Sequence, residues 1–296
     1  MPLDILVPYW GDPELMRLTV ESVLAQTSAD WRLTVVDDAY PDPQISEWLA
    51  AMNDPRIRVV RRETNGGVTA AFRDCLALAT QHLVVFLGCD DLLLPAYVEV
   101  VLATHHRFPQ AAMIQPGVRV VDADGAAAGG LADAVKQRLL RPTVTEPTLL
   151  RGEALAASLL RGNWLYWPSL ALSRRAVEEV GFRDALPIVL DLALEIDLVC
   201  RGDSLVVHPE VCFVYRRHGS SASSTTLLDG RRFADDRAYF ALAAAQMRDQ
   251  GWPRAERAAR RRLTSRAHAV TLLPQAFRRR RWPAVRELSR HAFSRP

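Results

Sequence analysis

An apolar run from Leu3 to Val7 opens the chain. Apolar positions then recur at helical spacing as far as Gln26, behind an N-cap aspartate and first-turn proline at Asp12-Pro13. Trp31 to Val36 predicts a second strand, Ile57 to Val60 a third, Val68 to Gln81 a helix, and His82 to Leu87 a strand of the fully buried type. Strands separated by helical segments over the first ~120 residues predict a doubly wound α/β unit, with a parallel sheet and right-handed crossovers.

From Asp122 to Pro147 the pattern gives way to Gly, Ala, Asp and Pro, which predicts a loop. It is too long for an idle connection and is expected to act as a flap. Helices are predicted near Gly152 to Leu160 and Ile188 to Cys200, with an aromatic segment Trp164 to Ser169 between them and strands near Leu205 and Phe213. The tail from Arg231 is Ala- and Arg-rich with helical spacing, and breaks are expected at Trp252-Pro253, Pro274 and Trp282-Pro283. Three regions result: 1–122, 123–225 and a C-terminal helical appendage, 226–296.

The 296 residues are 49% hydrophobic and 24% charged, which excludes wholesale disorder, collagen and a coiled coil. No apolar run approaches the ~18–20 residues of a membrane helix, and the start lacks the basic n-region of a signal peptide, so a cytoplasmic protein is expected. Cys75, Cys89, Cys200 and Cys212 have no metal-ligand spacing and are expected to be reduced thiols. The net charge is +3, but the cations are arginines apart from Lys136, and they crowd toward the C-terminus.

In an open α/β sheet, ligands bind beyond the carboxyl ends of the strands. Two acidic pairs fall there, Asp37-Asp38 after Val36 and Asp90-Asp91 a few residues after Leu87. Each alone is as readily a turn or helix cap; two at one sheet edge point to a site. Between them, Asn65-Gly66-Gly67 precedes a helix whose free N–H groups would attract phosphate, with Arg73 one or two turns on. Carboxylates such as Asp90 and Asp91 suit Mg2+ or Mn2+ bridging the phosphates of a sugar nucleotide. The dinucleotide fingerprint GxGxxG is absent, which argues against a nicotinamide enzyme.

The ordered blocks Ile5-Leu-Val-Pro-Tyr9, Val35-Val-Asp-Asp-Ala39, Asn65-Gly-Gly-Val68 with Arg73, and Phe86-Leu-Gly-Cys-Asp-Asp-Leu92 resemble family-2 glycosyltransferases of the GT-A fold. Gly181-Phe182, Asp191 and Tyr215-Arg-Arg-His218 match later blocks, so the resemblance covers roughly residues 3–225. It implies a GT-A-like α/β core and inverting transfer of a sugar from a nucleoside diphosphate donor to a hydroxyl. Pro8, Tyr9, Asp37 and Asp38 are implied at the base and ribose, Asn65, Gly66, Gly67 and Arg73 along the nucleotide, and Asp90 at both donor and metal. Asp91 and His218 would complete the metal shell, with His218 alternatively a solvated or core histidine. The family usually carries an acidic residue where this chain has Gly88, so Gly88→Asp is expected to strengthen metal binding.

The later block usually holds an acidic pair whose aspartate is the base, and counting back from Arg201-Gly202 puts Asp191 on its second position and Leu190 on its first. An inverting displacement needs one carboxylate to take the acceptor proton, and the apolar stretch Ile188 to Leu194 would keep Asp191 basic. Glu195 and Asp197 are rivals. Trp164 and Trp167 would stack on an acceptor sugar or lipid, or pack in the core, with equal weight. The acceptor is expected to be a glycan, a lipid-linked sugar or a small natural product. A catalytically silent sugar-nucleotide-binding protein is the alternative, prompted by Gly88. Nucleic-acid binding is not expected, because Arg278 to Arg281 lack interleaved aromatics or a reading helix. Phe277-Arg-Arg-Arg-Arg-Trp282 instead fits peripheral contact with an anionic membrane, or a solvated helix or dimer contact.

Overall fold

A computed structural model describes residues 1–128, 136–183, 189–217 and 231–293. The first half runs β1 (Leu3–Tyr9), α1 (Pro13–Leu24), β2 (Trp31–Asp37), α2 (Gln44–Ala51), β3 (Ile57–Arg61), α3 (Val68–Leu78), β4 (Leu83–Phe86), β5 (Leu92–Leu93), α4 (Tyr97–Arg107) and β6 (Met113–Val121). Then come a π-helical turn (Lys136–Leu140), β7 (Thr148–Arg151), α5 (Gly152–Arg161), β8 (Ala171–Ser173), α6 (Arg174–Val180), α7 (Leu190–Arg201) and β9 (Ser204–Arg216). Helices α8 (Arg231–Asp249), α9 (Pro253–Arg261), α10 (Leu263–Arg278) and α11 (Trp282–Phe293) form the appendage.

The nine strands among the described residues make one sheet, ordered β3-β2-β1-β4-β8-β6-β9-β5, with β7 on β9. The expected parallel arrangement holds for β3, β2, β1 and β4 and for the β6–β9 pair. It fails at β8, β5 and β7, which pair antiparallel. These are segments of two to four residues, too short to show a strand pattern of their own.

Strand alternation sorts the core into two layers. Leu3, Ile5, Val7 and Tyr9 of β1, with Trp31, Leu33 and Val35 of β2, pack against Met16 and Val20 of α1, Ile45 of α2 and Tyr97 and Val101 of α4. Leu6, Val36, Val84 and Phe86 face the other layer, with Cys75 of α3, the apolar face of α5, α7 and Tyr239 of α8. Helix α7 buries eight of its twelve residues, so it is apolar nearly all round, as a helix inside a core must be. At the amino ends of the strands, the buried Asp4 accepts from the Thr80 and Gln81 amides at 2.5 and 2.7 Å and ties the end of α3 to β1.

The appendage has its own small core of Phe233, Ala269, Ala276, Ala284, Leu288 and Ala292. Ser265 Oγ lies 2.5 Å from Asp236 Oδ2 and 2.8 Å from His291 Nε2, joining α8, α10 and α11. The break expected at Pro274 does not occur, since α10 runs through it. Among the described residues, no helix is long and apolar enough to cross a membrane. The boundary expected at 225/226 falls outside the described residues.

Candidate active site

At the carboxyl end of β2, Asp37 is fully buried and its carboxylate accepts from the Tyr40 amide at 2.8 Å, from Ser46 Oγ at 2.6 Å and from Arg61. With those partners Asp37 is fixed in place at the sheet edge. Asp38 is 3% exposed; its two oxygens accept from the Gly66 and Gly67 amides at 2.8 and 2.9 Å. Gly67 caps α3 at φ +80°, a conformation that costs glycine little. The amides expected to cradle a phosphate are therefore already held by Asp38, and the turn is fixed by the protein's own anion. Asn65 contributes through its side-chain oxygen, 3.0 Å from the Gly67 amide.

At the end of β4, an ideal Cβ at Gly88 would stand 2.6 Å from Asp91 Oδ2 and 2.9 Å from Asp90 Oδ1. Both carboxylates converge on the space that glycine leaves. Asp91 is 1% exposed; its Oδ1 accepts from the Arg216 amide at 2.8 Å, and its backbone carbonyl accepts from Thr19 Oγ1 of α1 at 2.8 Å. Arg216 is buried and gives its guanidinium to the carbonyls of Asp90 (3.1 Å) and Ala123 (3.0 Å). Burial, and then the neighbouring Asp90 charge, push the Asp91 carboxyl well above the usual carboxylate range. Two hard oxygens forced together, with the charge on one disfavoured, fit a divalent cation such as Mn2+ or Mg2+. Among the described residues there is no three-membered ligand cluster; His218 lies outside them. Between the two, burial and then Asp90 push the Cys89 thiol up to about 12.

Any larger residue at Gly88 would meet both carboxylates, so one of them must shift to admit it.

Asp191 stands in the first turn of α7, partly exposed. Of its rivals, Asp197 is committed to structure: Arg183 grips it with two bonds of 2.6 and 2.7 Å, and Gln246 adds one of 2.8 Å. Glu195 is fully buried, so an acceptor hydroxyl reaches Asp191 more readily. The charge of Lys136 acts on Glu195, its Nζ lies 3.9 Å over the Tyr166 ring, and Tyr166 touches Tyr215 at 5.2 Å. Tyr215 adjoins Arg216, so contacts run from the α7 carboxylates toward Asp90-Asp91. Arg73 donates to the Phe182 carbonyl at 3.2 Å, tying α3 to the segment ahead of α7.

The aromatic candidates divide. Trp164 is fully buried and donates to Ser158 Oγ at 3.0 Å, so it is core and not acceptor surface. Trp167 stacks on Phe86 (5.6 Å, 12°) and meets Phe72 and Phe182 edge-on, with its indole N–H buried and without a partner among the described residues. Tyr9 packs in the α1 layer, fully buried; its hydroxyl has no hydrogen-bond partner among the described residues, and burial raises its pKa. Pro8, next to it, keeps part of its surface open. The pattern gave no weight to Trp10, which is 49% exposed at the end of β1 and edge-on to Tyr40 at 5.4 Å. An exposed tryptophan at a strand's carboxyl end was the available signal.

The profile described as Glycosyl transferase family 2 matches residues 4–180. Succinoglycan biosynthesis protein ExoW of Rhizobium meliloti is 25% identical over 303 residues, covering 99% of this chain and 94% of its own. The Escherichia coli putative colanic acid biosynthesis glycosyl transferase WcaA is 29% identical over 102 residues, 34% of this chain and 37% of its own. The chain thus spans well under two thirds of the length of some of the curated relatives it matches. Staphylococcus aureus TarS 1–349, solved with UDP-GlcNAc, superposes with a TM-score of 0.64 at 14% identity over 99% of this chain and 91% of that one. That likeness shows the fold. With the profile spanning most of the chain and the four sequence blocks meeting at one sheet edge, the chain belongs to glycosyl transferase family 2.

Proposed function

We propose that the protein transfers a sugar from a nucleoside diphosphate sugar to an acceptor hydroxyl with inversion at the anomeric carbon. The observation that carries this is the convergence of the Asp90 and Asp91 oxygens over Gly88, at the same sheet edge as the turn clamped by Asp38. Residues 1–122 hold the donor and 123–225 the acceptor. Pro8 and Trp10 flank the base, and Arg73 approaches the nucleotide. Asp191 takes the proton from the acceptor oxygen, that oxygen bonds to the anomeric carbon on the face opposite the diphosphate, and the nucleoside diphosphate departs with the bonding electron pair. A divalent cation held by Asp90 and Asp91 supplies charge neutralisation of the diphosphate when bound.

The relative ExoW is named for succinoglycan biosynthesis and WcaA for colanic acid biosynthesis, which supports a glycan or lipid-linked acceptor. Four free cysteines, two of them buried, support a reducing, cytoplasmic setting. Phe277 (60% exposed) and Trp282 (57%) pair edge-on at 5.4 Å across the run Arg278 to Arg281 at the α10–α11 turn. Exposed aromatics among exposed arginines support peripheral contact with an anionic membrane face.

The catalytically silent alternative loses its motive, since Gly88 makes room for the two carboxylates. The test is the reaction itself: NMR of the product formed from an α-linked donor should show a β-linkage. A retained α-linkage, or no transfer from any of UDP-, dTDP- and GDP-sugars with Mn2+, overturns the proposal.

A further inference from the structure

Glu195 is the anomaly of α7, a completely buried carboxyl where the helix's other buried residues are Leu, Ala, Ile and Val. Its environment is specific. Asn163 Nδ2 donates to Oε2 at 2.8 Å, and that amide cannot be turned round, because Asn163 Oδ1 accepts from the Leu165 amide at 3.0 Å. Oε1 is buried with no hydrogen-bond partner among the described residues. A buried polar oxygen left this way is destabilising, so its retention calls for a reason.

Four residues earlier on the same face stands Asp191. Helical side chains lean toward the helix N-terminus, so the Glu195 carboxyl leans over the turn that carries Asp191. The groups facing it are Asp191 from its own helix, Lys136 from the π-helical turn, Asn163 after α5 and Tyr239 from α8. Tyr239 gives its proton to the Leu192 carbonyl at 3.1 Å and has none for Glu195.

We infer that Glu195 is a positioning residue for Asp191: a neutral carboxylic acid that accepts from Asn163 at Oε2 and offers its Oε1 proton, directly or through one water, to the Asp191 carboxylate. This rests on Asp191 being the base. Burial first, and the Asp191 charge second, hold the Glu195 carboxyl well above the usual range, in keeping with a neutral acid that outweighs the opposing pull of Lys136. Donation from Oε1 favours ionised Asp191 and fixes its orientation, as an acceptor-activating base requires.

The variants are chosen by proton count. In Glu195→Gln the amide oxygen still accepts from Asn163 and Nε2 still donates, which reproduces the neutral acid. Glu195→Leu keeps the bulk and removes the donor. For both, donor binding by calorimetry checks the fold, and kcat is followed from pH 5 to 9. Glu195→Leu should lower kcat by about tenfold, with KM for the donor little changed, and move the acidic limb upward by about one pH unit. Glu195→Gln should recover most of both losses. If Glu195→Gln falls as low as Asp191→Asn, Glu195 works as an anion and the inference is wrong. An unmoved acidic limb in Glu195→Leu overturns it equally. If Asp191→Asn itself keeps full turnover, the base reading fails, an outcome distinct from either.

Discussion

Gly88→Ala is a small change with a large expected effect. The added Cβ would lie 2.6 Å from Asp91 Oδ2 and 2.9 Å from Asp90 Oδ1, so Oδ2 must retreat by about 0.8 Å to reach ordinary contact at 3.4 Å. Asp90 is partly exposed and can swing away. Asp91 cannot, because it is 1% exposed and anchored through Oδ1 to the Arg216 amide at 2.8 Å. Relieving the clash strains or breaks that buried bond, at a cost of roughly 1–3 kcal/mol, with overpacking strain of similar size. A total of about 2–6 kcal/mol lowers the melting temperature by roughly 3–10 °C in a chain of this size. Differential scanning calorimetry measures this, and titration of Mn2+ in the presence of UDP measures the second consequence, weaker affinity as the two oxygens part. Gly88→Asp should be worse on both counts. Wild-type melting with tighter Mn2+ binding in Gly88→Asp would refute the reasoning and restore the view that the glycine is merely a missing ligand.

Asp191→Asn should lower turnover on the order of 10²–10⁴-fold while donor binding by calorimetry stays within about twofold; unchanged turnover would move the base. Removal of residues 275–296 should reduce cosedimentation with anionic liposomes and leave transfer to a soluble acceptor intact, whereas equal sedimentation of both forms would retire the membrane contact. Burial, and then nearby arginines, lower the His291 pKa to about 4. A base depressed in the fold contributes fully above the unfolded value of ~6.5 and loses that contribution as pH falls toward 4, on the order of 3 kcal/mol. The stability advantage of wild type over His291→Gln at pH 7 should therefore shrink toward pH 4, and a constant gap would contradict it.

The donor half was legible because its strands carry plain signals. β1, β2, β3 and β4 are apolar runs, and Asp12-Pro13 marks α1 with a real cap, Asp12 Oδ1 accepting from the Glu14 amide at 2.8 Å. β6 was hidden by Pro116-Gly117, a turn signal that here lies at a shift of register against β9, where a strand tolerates proline. α7 was found within two residues, because its apolar stretch has helical length. Which carboxylates face a ligand was not legible. Asp37 and Asp38 sit side by side in the sequence, yet only three dimensions show that Ser46, Arg61 and the Gly66-Gly67 amides saturate them. Trp164 and Trp167 could not be separated either, since the choice depends on Ser158 one turn away and on Phe86 from another strand.

The central claim is that this sheet edge binds a nucleoside diphosphate and a divalent cation together. Calorimetric titration of Mn2+ into the protein with and without UDP, dTDP or GDP tests it most directly. With two protein carboxylates, the diphosphate and waters must complete the coordination shell. Mn2+ should therefore bind weakly alone and at least tenfold tighter with the matching nucleotide, and Asp90→Ala should abolish the difference. Equal Mn2+ affinity in all titrations, with no nucleotide bound, would contradict the account.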